Sequence, residues 1–277
     1  MKSVLLPGGE AVPALGLGTW CMGDERGKRA EEMATLQLAL DLGMRLIDTA
    51  EMYGEGRSES LIGEAIAGRR DEAFLVSKVY PHNASKRGVV AACERSLKRL
   101  NTDRLDLYLL HWRGEVPLEE TLEAFYALQA AGLIRYFGVS NFDAADMQEW
   151  SALTDGTPGV TNQVLYNLTR RGIEWDLLPW MRKRRLPLMA YSPIEQGRLA
   201  GHRKLKALAQ EWGRTPAQLA LGWLLANDDV IAIPKTGQRA RLRENFEALR
   251  QPLDAEQLGV LAEMFAAPKG PTPLEML

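Results

Sequence analysis

Short apolar runs alternate with amphipathic segments along almost the whole chain. The runs ALGLG (14–18), MRLID (44–48), FLVSK (74–78), LDLYLLH (105–111), IRYFGVS (134–140), GVTNQ (159–163), LPLMAYS (186–192) and VIAIPK (230–235) read as β-strands. Between them the pattern predicts helices. One covers 29–42 and ends at Gly43, a residue suited to a left-handed cap. Others cover Ser58 to Ala67 and a segment that Ser85 can N-cap, running to Leu100. Pro117 sits where a helix would start, with Glu119 and Glu120 in its first turn and Leu118, Leu122, Phe125 and Leu128 on one apolar face. Further helices are expected over 143–153, 175–185, 203–212, 215–227, 239–249 and 254–265.

Eight strands alternating with helices argue for a parallel sheet. Gly18, Asp48, Lys78, His111, Ser140, Gln163, Tyr191 and Ile233 lie at successive strand ends, 23 to 42 residues apart. One βα unit per step is what a closed (β/α)8 TIM barrel predicts, and its C-terminal face carries the active site. The competing doubly wound sheet would use a dinucleotide fingerprint. GLGTWCMG (16–23) has two of its glycines but puts Cys21 where the third, tiny residue must pack helix on strand. The opening VLLPGGEAV (4–12) reads as a β-hairpin that plugs the barrel bottom. Additional helices are expected near the C-terminus. No Gly/Ser-rich linker or charge block divides the chain, so one domain over 1–277 is expected.

Composition narrows the classes. Hydrophobic residues make up 46% and charged residues 25% of 277, the profile of a soluble globular protein. A net charge of −2 offers no basic surface for nucleic acid or an anionic membrane. No stretch reads as a signal peptide or a transmembrane helix. The two cysteines, Cys21 and Cys93, are too few for a disulfide framework. Cys93 shares an apolar stripe with Val89, Leu97 and Leu100 and should be a buried thiol. A reducing, cytoplasmic setting fits.

Four strand-end residues carry chemistry: Asp48, Tyr53, Lys78 and His111. A phenol can protonate a carbonyl oxygen at neutral pH if its pKa, about 10 when unperturbed, is brought down. A lysine beside it would do that, and an aspartate would hold the lysine charged. Taken singly, Asp48 could be a turn former, Tyr53 a packing tyrosine and His111 a satisfied core histidine. Lys78 resists such a reading, because an unpaired amine in a barrel mouth is costly. Their joint occurrence points to one site. Trp20 and Trp112 follow site residues and are expected to line a pocket, whereas Trp150, Trp175, Trp180, Trp212 and Trp223 are expected to pack. The basic run 182–185 reads as a solvated helix end.

LGLGTW, LIDTAEMYG, FLVSK, LDLYLLHW, GVSNF, NQVLYN, MAYSP and AIPKTGQRARLRENF resemble the aldo-keto reductases in order and spacing, across residues 3–268. Within that superfamily the chain looks most like small bacterial methylglyoxal and aldehyde reductases. The resemblance implies NADPH extended across the barrel face and a catalytic tetrad at Asp48, Tyr53, Lys78 and His111. Tyr53 would be the general acid, Lys78 with Asp48 its tuner, and His111 the group orienting the substrate carbonyl. It implies that Ser140, Asn141 and Gln163 hold the nicotinamide carboxamide and that Tyr191 stacks on the ring. Gly18, Thr19 and Trp20, with Asp48, match positions near the nicotinamide ribose and substrate. Ser192, Ile194 and Gly197 match the pyrophosphate loop. In the stretch from Ile233, Lys235, Thr236 and Arg241 match 2′-phosphate contacts, and Glu244 and Asn245 match adenine contacts. Gly237 and Gln238 depart from the commoner residues, which leaves the strength of NADPH preference open. Trp20, Tyr53, His111 and Trp112 would form the substrate pocket.

A cofactor-binding regulatory subunit of the same fold is the competing reading, but no assembly helix is apparent and the tetrad is complete. A metal-dependent lyase or isomerase is weak: there are three histidines and no H-x-H or E-x-x-H cluster. The short HWRGEVPLEE loop and the short tail APKGPTPLEML imply a small, open pocket for methylglyoxal, short dicarbonyls and aromatic aldehydes. We expect a monomer with a small carbonyl substrate and no nucleic-acid or membrane partner.

Overall fold

A computed structural model describes residues 2–154 and 159–277. A hairpin opens it, β1 (Ser3–Leu5) against β2 (Ala11–Pro13). Eight parallel strands follow: β3 (Leu17–Gly18), β4 (Leu46–Asp48), β5 (Phe74–Val79), β6 (Leu105–Leu110), β7 (Ile134–Ser140), β8 (Asn162–Leu165), β9 (Leu188–Tyr191) and β10 (Val230–Ala232). Each pairs with the next in sequence. The sheet closes on itself through parallel bridges Leu15–Ala232 and Gly18–Lys235. Gly16 N–H donates to Ala232 O at 2.9 Å, and Gly18 N–H to Pro234 O at 3.1 Å. Gly18 is required at this seam, since a Cβ there would lie 2.9 Å from Ile233 O. The fold is the expected (β/α)8 barrel.

Strands covered on both faces need continuous apolar runs, and β5 and β6 are buried at every position. The outer layer contains α1 (Arg29–Asp41), α2 (Arg57–Ala65), α3 (Lys86–Leu100), α4 (Leu118–Ala130), α5 (Ala144–Leu153) and α6 (Leu177–Lys183). It continues with α7 (Arg198–Gly201), α8 (Arg203–Glu211), α9 (Pro216–Leu225), α10 (Arg239–Arg250) and α11 (Ala255–Met264). The caps agree with the sequence. Ser85 Oγ accepts from Gly88 N–H at 3.2 Å, and Gly43 past α1 has φ 82°. Capping boxes begin α5, α9 and α11.

The hairpin buries Val4, Leu6 and Val12 in the core, and Glu10 accepts from Arg135 and Tyr136 near the start of β7. It therefore covers the face opposite the strand C-termini. Two readings are corrected. GVTNQ starts too early, because Gly159 takes φ 83° and bends the chain before the ladder at Asn162. Trp175 does not pack; it is 49% exposed beside the turn preceding α6. Cys93 is buried, and burial pushes its thiol up to about 12. No helix among the described residues is long and apolar enough to cross a membrane.

Candidate active site

Strand ends bring the four expected residues together. Asp48 is the last residue of β4, Lys78 lies one residue before the end of β5, and His111 follows β6. Tyr53 opens the turn between β4 and α2. Lys78 Nζ is fully buried and donates three ways: to Asp48 Oδ1 at 2.7 Å, to Thr49 O at 2.8 Å and to Tyr53 OH at 3.2 Å. Gln163 Nε2 donates to the other Asp48 oxygen at 2.8 Å. The Tyr53 and His111 rings meet edge to face, with centroids 6.0 Å apart.

Electrostatics differ from the sequence reading in one respect. Burial lowers the Lys78 pKa, but Asp48 and Tyr53 outweigh it and raise the ammonium above its ordinary value. Burial pushes Asp48 up while Lys78 and Gln163 pull it back. A neutral Asp48 would leave Lys78 uncompensated in the interior, so the pair is ionised. Burial also raises Tyr53 above its ordinary value, and Lys78 offsets only part of this. The expected net lowering is therefore absent from the resting site. Burial, then the Lys78 charge, hold His111 well below its ordinary value, so its ring is neutral at pH 7. Its Nδ1 is buried without a hydrogen-bond partner among the described residues.

Around this cluster the other expected residues separate by role. Ser140 Oγ donates to Gln163 O at 2.8 Å, Asn141 Nδ2 to His111 O at 3.1 Å, and Tyr191 OH to Asn141 Oδ1 at 3.0 Å. Ser140, Asn141, Gln163 and Tyr191 thus form one connected group beside the tetrad. Thr19 turns inward. Its hydroxyl donates to Asp48 O at 2.9 Å and accepts from Ser58 at 2.8 Å, which ties β3 and α2 to the β4 end. Trp20 is 48% exposed at the rim. Trp112 packs on His111 with centroids 4.8 Å apart.

Farther along the seam, Lys235 and Arg241 are exposed, and among the described residues neither side chain has a hydrogen-bond or ion-pair partner. Thr236 lies between them in sequence and accepts from Gln238 N–H at 3.1 Å. Asn245 and Ile233 are buried, and Glu244 is half-buried. Two free cations and a hydroxyl are a donor set that fits a compact dianion.

Sequence reading missed two features. Tyr80 packs between His82 (4.6 Å) and Trp112 (5.8 Å), 6.5 Å from His111, and so joins the aromatic cluster beside the tetrad positions. The signal was available: Tyr80 is two residues past Lys78, and alternate strand positions share a face. The short tail also reaches farther than expected. Thr272–Glu275 line a cavity of about 280 Å³ with α5 and the 170–177 turn. No group of His, Cys, Asp and Glu that could hold a metal exists among the described residues.

The model of the aldo/keto reductase family matches residues 14–265. The chain belongs to the aldo/keto reductase family. It is 47% identical to methylglyoxal reductase YeaE of Escherichia coli, over 100% of this chain and 99% of that one. It is 32% identical to methylglyoxal reductase DkgA of E. coli, over 98% of this chain and 96% of that one. An aldo-keto reductase from Klebsiella pneumoniae, crystallised with NADPH, superposes with a TM-score of 0.96 at 47% identity, covering 100% and 99% of the two chains.

Proposed function

We propose that this aldo/keto reductase reduces small aldehydes and dicarbonyls of the methylglyoxal type with NADPH. The observation that carries the chemistry is the Lys78 ammonium bridging Asp48 and the Tyr53 phenol inside the barrel mouth. Bound NADPH supplies the hydride. Tyr53 gives its proton to the carbonyl oxygen. Lys78 stabilises the phenolate left behind, and Asp48 keeps Lys78 charged. Neutral His111 orients the carbonyl without adding a second positive charge beside Lys78. Ser140, Asn141 and Gln163 would hold the carboxamide, and Tyr191 would stack on the nicotinamide. Lys235, Thr236 and Arg241 would hold the 2′-phosphate. Trp20, Tyr80 and Trp112 give the substrate an aromatic wall suited to a small carbonyl.

The complete tetrad also weighs against a regulatory subunit with little turnover. The test is turnover on a carbonyl panel with NADPH and NADH, together with gel filtration, for which we expect a monomer. Saturable reduction of methylglyoxal or another short dicarbonyl, with higher kcat/KM than for bulky ketones, is the expected result. Tight NADPH binding without turnover on any carbonyl would favour the regulatory reading.

A further inference from the structure

The loop that follows β9 is strained. Ser192, Glu195 and Gln196 take φ values of 47°, 50° and 52°, and Gly197 follows at 88°. Side chains other than glycine hold the left-handed region only where their surroundings over-determine it. Glu195 provides that determination. It is 4% exposed, and its carboxylate is gripped from three directions. Asn167 Nδ2 donates to Glu195 Oε2 at 2.8 Å and to Ser192 O at 3.0 Å, so one amide pins two of the three strained residues. Arg170 reaches Glu195 Oε1 from Nε at 3.1 Å and from Nη2 at 2.9 Å. Arg198 Nη1 approaches the same oxygen at 3.2 Å.

Asn167 and Arg170 form the two ends of one tight turn, with Arg170 N–H donating to Asn167 O at 3.0 Å. Burial alone would raise the Glu195 pKa, but Arg170, Asn167 and Arg198 hold it below the ordinary carboxylate value. A buried carboxylate in a loop assigned to a pyrophosphate would repel its ligand unless its charge were cancelled. Arg170 and Arg198 cancel it. Arg170 also pairs with Glu275 of the C-terminal tail, so its two partners belong to different parts of the mouth.

We propose that Arg170, acting through the buried Glu195 and with Asn167, is a positioning residue that holds the 192–197 loop in its cofactor-gripping shape. Its contribution falls on the pyrophosphate, the part common to NADPH and NADH, and not on the 2′-phosphate. This rests on the reading that a nicotinamide dinucleotide lies across this loop and ends at Lys235 and Arg241.

Fluorescence titration of both cofactors tests it on the wild type, Arg170→Met, Arg170→Lys, Glu275→Gln and Arg241→Ala. Arg170→Met should weaken NADPH and NADH by the same factor, about 10-fold or more, the worth of a lost charge-assisted pair. Arg170→Lys keeps the charge but not the fork, and should show a smaller, equally shared loss. It decides the matter if the methionine variant does not fold. Glu275→Gln should stay within about twofold of wild type for both cofactors. A merely structural role would lower the melting temperature and leave both dissociation constants of the folded protein in place, which would overturn the proposal. So would a loss confined to NADPH, or a Glu275→Gln variant as weak as Arg170→Met. A wild type that binds neither cofactor, or Arg241→Ala weakening both alike, would instead strike the underlying reading of where the cofactor lies.

Discussion

Replacing Lys78 by methionine should separate the structural from the chemical role of the buried pair. The side chains are close in length, so the change removes charge more than volume. It leaves the Asp48 carboxylate, 2% exposed, with Gln163 as its remaining side-chain donor. An uncompensated buried charge costs about 3–5 kcal/mol. Asp48 has an alternative, which is to take up a proton. From an ordinary pKa of about 3.9, protonation at pH 7 costs ~4 kcal/mol, which caps the penalty. A domain stable by about 5–15 kcal/mol survives this, but with a much reduced margin. The pH dependence then has a definite sign. In the variant, folded Asp48 binds a proton that the unfolded chain releases at neutral pH, so folding is favoured by acid. The deficit relative to wild type should shrink by ~1.4 kcal/mol per pH unit between pH 7 and about pH 4. Adding Asp48→Asn should restore most of the stability at pH 7 and none of the turnover. Urea melts at pH 7 and pH 5 on both single variants and the double, beside steady-state reduction, read all of this. A deficit below about 1 kcal/mol at pH 7 would mean that Asp48 and Lys78 are not an ionised pair, and a larger deficit independent of pH would mean that Asp48 stays ionised in the variant.

Tyr53→Phe should lower kcat for carbonyl reduction by about 10²–10⁴ with NADPH binding intact, and retention of more than about a tenth of wild-type kcat would exclude Tyr53 as the acid. Combined with Lys78→Met, its loss should not multiply, because the two act as a unit; independent factors in the double variant would contradict that. Arg241→Ala should weaken NADPH about 10- to 100-fold and leave NADH nearly unchanged, and equal weakening would move Arg241 off the 2′-phosphate. His111 is buried neutral with a depressed pKa, so its contribution is fully present above the unfolded value of about 6.5 and is lost as pH falls toward the folded one. The stability advantage of wild type over His111→Gln should therefore narrow on going from pH 7 to pH 5 in denaturant melts, and a constant gap would remove the neutral-imidazole assignment.

The barrel was legible because its strands are short apolar runs repeating at one βα unit, a signal independent of any motif. Every expected strand has a counterpart, and the errors sit at boundaries. GVTNQ fails by three residues because a glycine in the left-handed region is invisible to hydrophobic periodicity. The short α7 was missed because four residues carry no period. The clustering of Asp48, Tyr53, Lys78 and His111 was legible as residue types at strand ends. The aromatic neighbour Tyr80 was passed over although its register with Lys78 placed it on the same face. What could not be read is what depends on three-dimensional burial. The direction of the Tyr53 shift turns on how deep the phenol lies, and the grip of Arg170 on Glu195 joins residues 25 positions apart in two loops. Trp175 shows the converse: an aromatic residue near a helix that the fold leaves half in solvent.

The raised Tyr53 pKa strengthens the proposed reduction. A phenol shifted upward keeps its proton throughout the neutral range, so the resting site is a loaded acid. The alkoxide formed when hydride reaches a carbonyl is far more basic than any phenolate, so proton transfer to it stays downhill. In the proposed mechanism Lys78 therefore acts mainly when the proton has left, because its attraction for a phenolate exceeds its attraction for a phenol. That is stabilisation realised in the transition state and beyond, which accelerates the chemical step where equal stabilisation of both states would not. The same logic explains a neutral His111. A second cation in this buried space would compete with Lys78 for Asp48 and raise the cost of burying both. A neutral ring can direct the carbonyl oxygen toward Tyr53 by hydrogen bonding alone.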